Sequence, residues 1–167
     1  MTNLGFRQAM AARGITVVET DVGDRYVLAA LEERGLALGG EQSGHIVFRD
    51  LATTGDGLLT GLQVLDVLKR TGRTLHDLSG SAMTRLPQVL RSVRVADRDR
   101  LPGATGLWEQ VAAATEALGD RGRVLLRPSG TEPVVRVMVE APTEQEAATT
   151  ADSLCDAVTD ALGPLPA

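Results

Sequence analysis

Apolar positions recur along this chain at two periods, and the switches between them outline its elements. From Gly57 to Gly72, "GLLTGLQVLDVLKRTG", the residues Leu58, Leu62, Leu65 and Leu68 follow three- and four-residue steps. That is the repeat of one helix face, and Gly72 supplies the stop. The last segment, Thr143 to Leu162, repeats the pattern with Ala147, Ala151, Leu154, Val158 and Leu162 on its inner stripe. Thr143 and Glu146 there have the spacing of a capping box after Pro142. A third helix is predicted over Thr105 to Leu118. Near the start, Thr2 or Asn3 can cap a helix through about Arg13, ended by Gly14, with Leu4, Met10 and Ala11 facing inward. "RYVLAALEERG" predicts another helix, with Gly35 at its C-terminal end.

Between the helices stand shorter β-like runs. "ITVVET", Ile15 to Thr20, is β-branched and predicts a buried strand. "LALGG" and "HIVF" are strand-like pieces around the polar loop Glu41 to Gly44. "QVLRSVRV" alternates as a half-exposed strand does, and two further strands, Arg123 to Arg127 and Val134 to Glu140, flank a polar interruption. The pattern weakens between about Leu75 and Arg85. The expected fold class is therefore α/β then α+β: a truncated βαβ-type layer domain over residues 1–82, then a small domain over 83–167 with an antiparallel sheet and two helices. A βαβ layer that opens on a helix leads to the expectation of a fragment whose first strand lies upstream.

Composition narrows the chemistry. Hydrophobic residues make up 43% of the chain and aromatics only 2%, so packing must rest on aliphatic side chains. No apolar run reaches the ~18–20 residues that span a bilayer, and no basic–apolar–small leader opens the sequence; no membrane partner is expected. The single cysteine, Cys155, allows no disulfide within the chain, which points to a reducing, cytoplasmic setting. On the inner face of the last helix it reads as a small buried thiol rather than a nucleophile. A formal charge of −5 without a basic stripe argues against a nucleic-acid partner. Any bound anion must then be caught by a local group of cations and amides. Lys69 is the only lysine among 17 basic residues, so arginine by type alone is uninformative here.

Two loops have the residue types for ligand chemistry. In "VLLRPSGTEPVVRVMVEA", Pro128 directs the chain out of its strand, and Ser129, Gly130 and Thr131 offer three successive amides and two hydroxyls. A positive φ at Gly130 would let those amides converge into an anion nest, and Arg127 and Arg136 on the flanking strands could add charge-assisted hydrogen bonds. A plain hairpin turn remains the other reading of these residues. No Walker loop occurs. In "GGEQSGH", Gly39 to His45, a carboxylate, an amide, a hydroxyl and an imidazole fall close together, a set suited to a polyhydroxylated ligand; the alternative is a polar loop with His45 hydrogen-bonded at a strand start. Its serine spacing is not that of a hydrolase elbow. Asp24 in "TDVGDRYV" and Asp56 in "TTGDG" read as helix caps, and one carboxylate supplies too few oxygens for Mg²⁺.

Taken in order, "NLGF", "TDVGDRYV", "LGGEQSGHIVF", "TTGDGLLT" and "RPSGTEPVVRVMVE" resemble the C-terminal part of the α-D-phosphohexomutase superfamily, most closely its bacterial phosphoglucosamine mutase branch. Gln42 in the second loop favours that branch over phosphomannomutase/phosphoglucomutase relatives, which often carry Met there. The resemblance covers nearly the whole chain. It implies four domains around one cleft in the intact enzyme, with residues 1–82 as most of the third domain and 83–167 as the fourth.

By that resemblance, Glu41, Ser43 and His45 would contact sugar hydroxyls. Arg127, Ser129, Gly130 and Thr131 would hold the phosphate that is not being transferred, and Asp24, Arg25 and Arg136 would lie at the cleft edge. The family's phosphoserine and three-aspartate Mg²⁺ loop belong to domains absent from this sequence, so no catalytic and no metal-ligating residue is expected in it. Mg²⁺ and a hexosamine 1,6-bisphosphate activator would serve the intact enzyme, no cofactor being expected in this chain. The implied partners are a hexosamine phosphate and the N-terminal domains. The implied activity interconverts glucosamine 6-phosphate and glucosamine 1-phosphate, with this chain alone inactive. A phosphomannomutase/phosphoglucomutase relative, a stand-alone sugar-phosphate-binding module and a remnant without ligand affinity are the alternatives.

Overall fold

The structure is a computed structural model that describes residues 2–164. The chain divides into two compact units, Met1–Arg85 and Leu86–Ala167. The first holds helices α1 (Leu4–Ala11) and α2 (Asp24–Arg34), strands β1 (Leu38–Gly40) and β2 (Ile46–Phe48), and helices α3 (Gly57–Thr71) and α4 (Leu75–Ala82). The two strands pair antiparallel, Gly39 opposite Val47. Asn3 caps α1, its side chain accepting from the Gly5 amide at 3.0 Å. Gly35 ends α2 at φ 64°, in the left-handed region where glycine is least strained. The weakly patterned stretch holds α4, started by a reciprocal capping box between Thr74 and Asp77.

One expectation fails in this unit. Ile15 to Thr20 is not a buried strand: it forms no ladder among the described residues, and Ile15 is 51% exposed. Apolar β-branched sequence makes a strand only where a neighbouring chain takes its amides and carbonyls. The leucine stripe of α3 forms its helix, yet Leu58 is 78% exposed and no residue of α3 is buried. Periodicity sets which residues share a face, not whether anything covers that face. Small differences follow the same logic. α1 stops at Ala11, which is exposed. Gly23 rather than Asp24 caps α2, leaving Asp24 in its first turn.

The second unit runs β3 (Gln88–Arg94), a 3₁₀ turn (Arg98–Gly103), α5 (Thr105–Leu118), a second 3₁₀ turn (Gly119–Arg121), β4 (Arg123–Pro128), β5 (Val134–Glu140) and α6 (Glu144–Leu162). Its sheet has the order β3-β5-β4, antiparallel throughout. Successive side chains alternate faces, so Val135, Val137 and Val139 line one side with Leu126 and Val89. α6 lays Ala147, Ala151, Leu154, Val158 and Leu162 onto that core, and α5 adds Leu107 and Leu118. Each fully buried Val or Leu contributes about 1.5–3 kcal/mol before conformational entropy is subtracted. The capping box expected on α6 is half made. Thr143 accepts from the Glu146 amide at 3.1 Å, while the Glu146 carboxylate turns to Arg121 at 3.4 Å.

Fold class follows from these elements: helices with a small sheet in an α/β unit, then an α+β unit with an antiparallel sheet and two long helices. At the end of the β4–β5 ladder Arg123 sits opposite Glu140. Glu140 is fully buried, and its carboxylate meets the Arg123 guanidinium at 3.0 Å. No helix among the described residues is long and apolar enough to cross a membrane.

Candidate functional site

The β1–β2 connection places the first group of predicted residues. The Glu41 amide donates to the His45 carbonyl at 2.9 Å, and the Gly44 amide returns to the Glu41 carbonyl at 3.0 Å. The chain reverses there because Gly44 takes φ 91°, a conformation costly for any residue with a Cβ. Ser43 stands exposed at the tip and Glu41 is half-buried at the base. The Glu41 carboxylate accepts from the Gly23 amide at 3.0 Å, where a helix N-terminus favours negative charge. That bond joins this loop to the turn carrying Asp24 and Arg25. Both are exposed; Asp24 accepts from the Arg25 amide at 2.7 Å, and the Arg25 guanidinium lies 4.5 Å over the Tyr26 ring.

His45 is set differently from a free surface imidazole. Its Nε2 is buried and finds no hydrogen-bond partner among the described residues. A methyl group on Gly55 would come within 2.3 Å of that nitrogen, so the ring is packed against the Gly55 backbone. In this arrangement Nδ1 is the ring atom left for an outside hydroxyl. Gly55 belongs to "TTGDG", whose Asp56 caps α3 by accepting from the amides of Leu58 and Leu59 at 2.8 and 3.0 Å.

In the second unit, Arg127 and Arg136 are direct partners in the β4–β5 register. They share the sheet face opposite Val135 and Val137, at a spacing where side chains interact and like charges repel. Glu132 reaches Arg136 at 3.4 Å, whereas Arg127 has no ion-pair partner among the described residues. The loop above them differs from expectation in two respects. The Ser129 amide is already spent on the Val134 carbonyl at 2.9 Å, which closes the ladder. Gly130 does not take a positive φ, so the predicted nest is absent. The amides of Gly130 and Thr131 remain without partners among the described residues. Ser129 is buried, and its Oγ accepts from the Glu132 amide at 3.4 Å.

Sequence reasoning passed over one residue at this loop. The Arg98 guanidinium donates to the carbonyl oxygens of Ser129, of Glu132 at 2.6 Å and of Gly130 at 3.4 Å. No local motif announces it, because it lies 31 residues before its first partner. Asp97 and Asp99 line an open depression of about 320 Å³ on that side, together with Thr131 and Pro133. The carboxylates of Asp97, Asp99 and Glu132 outnumber the single Arg98 guanidinium there and disfavour an anion, in contrast to the side of Arg127 and Arg136.

Among the described residues no three His, Cys, Asp or Glu side chains cluster as a metal site. Asp24 brings a lone carboxylate, so the residues present do not fit Mg²⁺. Cys155 is a free, half-buried thiol beside the α6 core, and burial raises its pKa above the ordinary thiol value, reinforced by Asp152.

An α/β unit followed by a three-stranded α+β unit defines the class. The chain belongs to the phosphoglucomutase/phosphomannomutase family: residues 1–86 match its alpha/beta/alpha domain III and residues 88–157 its C-terminal domain. The phosphoglucosamine mutase of Frankia alni is 59% identical over 162 residues, 97% of this chain and 35% of that protein. The phosphoglucosamine mutase of Streptomyces coelicolor is 56% identical over 163 residues, covering 98% of this chain and 36% of its own length. The chain thus spans about a third of the length of the curated relatives it matches. Aspergillus fumigatus N-acetylphosphoglucosamine mutase, solved with glucose 1,6-bisphosphate, superposes on 98% of this chain and 38% of its own at a TM-score of 0.77 and 24% identity, a likeness of fold alone. The same fungal enzyme solved with GlcNAc-6P and magnesium is 31% identical over 65% of this chain and 22% of its own, at a TM-score of 0.55.

Proposed function

We propose that this chain is the substrate-binding C-terminal portion of a phosphoglucosamine mutase, the enzyme that interconverts glucosamine 6-phosphate and glucosamine 1-phosphate. The observation that carries the reading is the pair Arg127 and Arg136, registered opposite each other beside a loop in which two amides have no partner among the described residues. A phosphate dianion between them turns a like-charge repulsion into two charge-assisted contacts. The amides of Gly130 and Thr131 and the Thr131 hydroxyl complete its shell. Similarity to bacterial phosphoglucosamine mutases along nearly the whole chain supports the assignment.

The roles follow from chemistry. The Ser129–Thr131 loop grips the phosphate that is not in transfer. It recognises phosphate through amides and guanidinium rather than through the sugar, so it accepts a 1,6-bisphosphate in either orientation. Glu41 and Ser43 offer acceptors and a donor to ring hydroxyls, and His45 adds Nδ1. The serine that would exchange the phosphoryl group with the sugar, and the residues that would hold Mg²⁺ to neutralise its charge, are assigned to the rest of the longer protein, so this chain binds without turning over.

Amide NMR of the chain tests the reading, titrating glucosamine 6-phosphate against glucosamine and inorganic phosphate. Shifts at Gly130 and Thr131 are expected for each ligand that carries phosphate, and shifts within Glu41 to His45 for each ligand that carries the sugar. A spectrum unmoved at ~10 mM, where millimolar binding would show, sinks the binding role.

A further inference from the structure

We propose that Arg98 is the positioning residue of the phosphate loop: its guanidinium grips the loop's carbonyl side and thereby presents the amides of Gly130 and Thr131 to the anion. This rests on the phosphate-binding reading above and adds a residue that does not itself touch ligand.

The argument is one of peptide geometry. In a planar trans peptide the carbonyl of one residue and the amide of the next point in opposite directions, and the described chain has no cis bond. Arg98 takes the carbonyls of Ser129 and Gly130. The amides across those two peptides are those of Gly130 and Thr131, which have no partner among the described residues. Holding both carbonyls on one cation turns both amides away from it. The third carbonyl, of Glu132, accepts from Arg98 at 2.6 Å and from the Val134 amide at 2.8 Å, which anchors the clamp to the first rung of β5.

This explains how the loop is shaped without a positive φ at Gly130. A nest would bring amides together through alternating backbone hands; here a side chain from a distant 3₁₀ turn does so through the carbonyls. Only arginine has a planar fork that can serve three acceptors at once. A lysine would carry the charge without the fixed directions. The guanidinium also polarises both peptides toward itself, making their amides better donors. Asp99, 3.8 Å from Nε, and Asp97 beside it keep that face of the clamp unfavourable to phosphate.

The test compares the 167-residue chain with Arg98→Lys and Arg98→Gln, using inorganic phosphate and glucosamine 6-phosphate as probes. Both variants are expected to bind phosphate roughly tenfold or more weakly, in line with the loss of oriented charge-assisted bonds. Amide exchange should rise at Ser129 and Val134, whose amides are bonded within the loop, and stay unchanged at Val137 and Val139. Arg98→Lys binding like the parent overturns the positioning role, since charge alone would then suffice. Should neither variant fold, the parent still decides: scalar couplings across hydrogen bonds from Arg98 Nη to the Ser129 and Glu132 carbonyl carbons are expected, and their absence overturns the clamp. A parent chain that binds no phosphate overturns the proposed function itself, a failure visible before any variant is made.

Discussion

Arg127 and Arg136 face each other across the β4–β5 ladder with only one of them neutralised, since Glu132 pairs with Arg136 and nothing described pairs with Arg127. Arg127→Gln should therefore weaken phosphate binding more than Arg136→Gln. The expected loss is about 1.5–3 kcal/mol for a hydrogen bond between charged groups. Folding stability should hold or rise slightly, because a like-charge pair is relieved. Phosphate titration and urea unfolding of the two variants check both halves.

His45 and Gly55 form a second testable pair. In Gly55→Ala the new methyl would overlap the imidazole. The ring must swing out, at an overpacking cost of about 1–3 kcal/mol. Inorganic phosphate should still shift Gly130 and Thr131 as in the parent, while the shifts that glucosamine causes within Glu41 to His45 weaken. Unmoved His45 ring resonances would show that the glycine is not what seats the imidazole.

Glu140, fully buried, pairs with Arg123, whose side chain is 19% exposed. Glu140→Ala takes the carboxylate away from a half-buried guanidinium, at a cost of up to about 3–5 kcal/mol, the figure for breaking a buried pair. Hydrogen exchange at Val137 and Val139 should accelerate accordingly. Replacing both partners with methionine should cost less than the single change, because the guanidinium is removed together with its carboxylate.

Asp77 gives a pH-dependent prediction. The hydrogen bonds from the Thr74 side chain and backbone hold its carboxyl below the ordinary 3.8, helped by Arg73. With the folded value depressed, the contribution of the α4 cap is complete above about pH 4 and is lost as pH falls through the folded value. A carboxyl-carbon titration should place the Asp77 midpoint below 3.8, and Thr74→Ala should move it back up. A midpoint already at the ordinary value in the parent would contradict the cap.

The sequence alone determined whatever neighbours in the chain decide. α5 runs over Thr105–Leu118 as its pattern predicts, α6 buries its predicted stripe, and Gly35, Gly72 and Asp56 end or start helices as read. Caps, turns and faces depend on residues a few positions apart, so a string of letters carries them. The polar loops 41–45 and 127–131 could be picked out for the same reason, each being contiguous.

Tertiary structure decided what depends on partners far away in the chain. Whether Ile15 to Thr20 becomes a strand depends on a neighbour for its amides, and whether the α3 leucines are buried depends on a cover, neither of which the local pattern encodes. The facing of Arg127 and Arg136 required the register of two strands. The Arg98 clamp required a turn brought back across 31 residues to reach the loop. Hydrogen-bond geometry and burial arise between segments, and only the folded chain brings those segments within bonding distance.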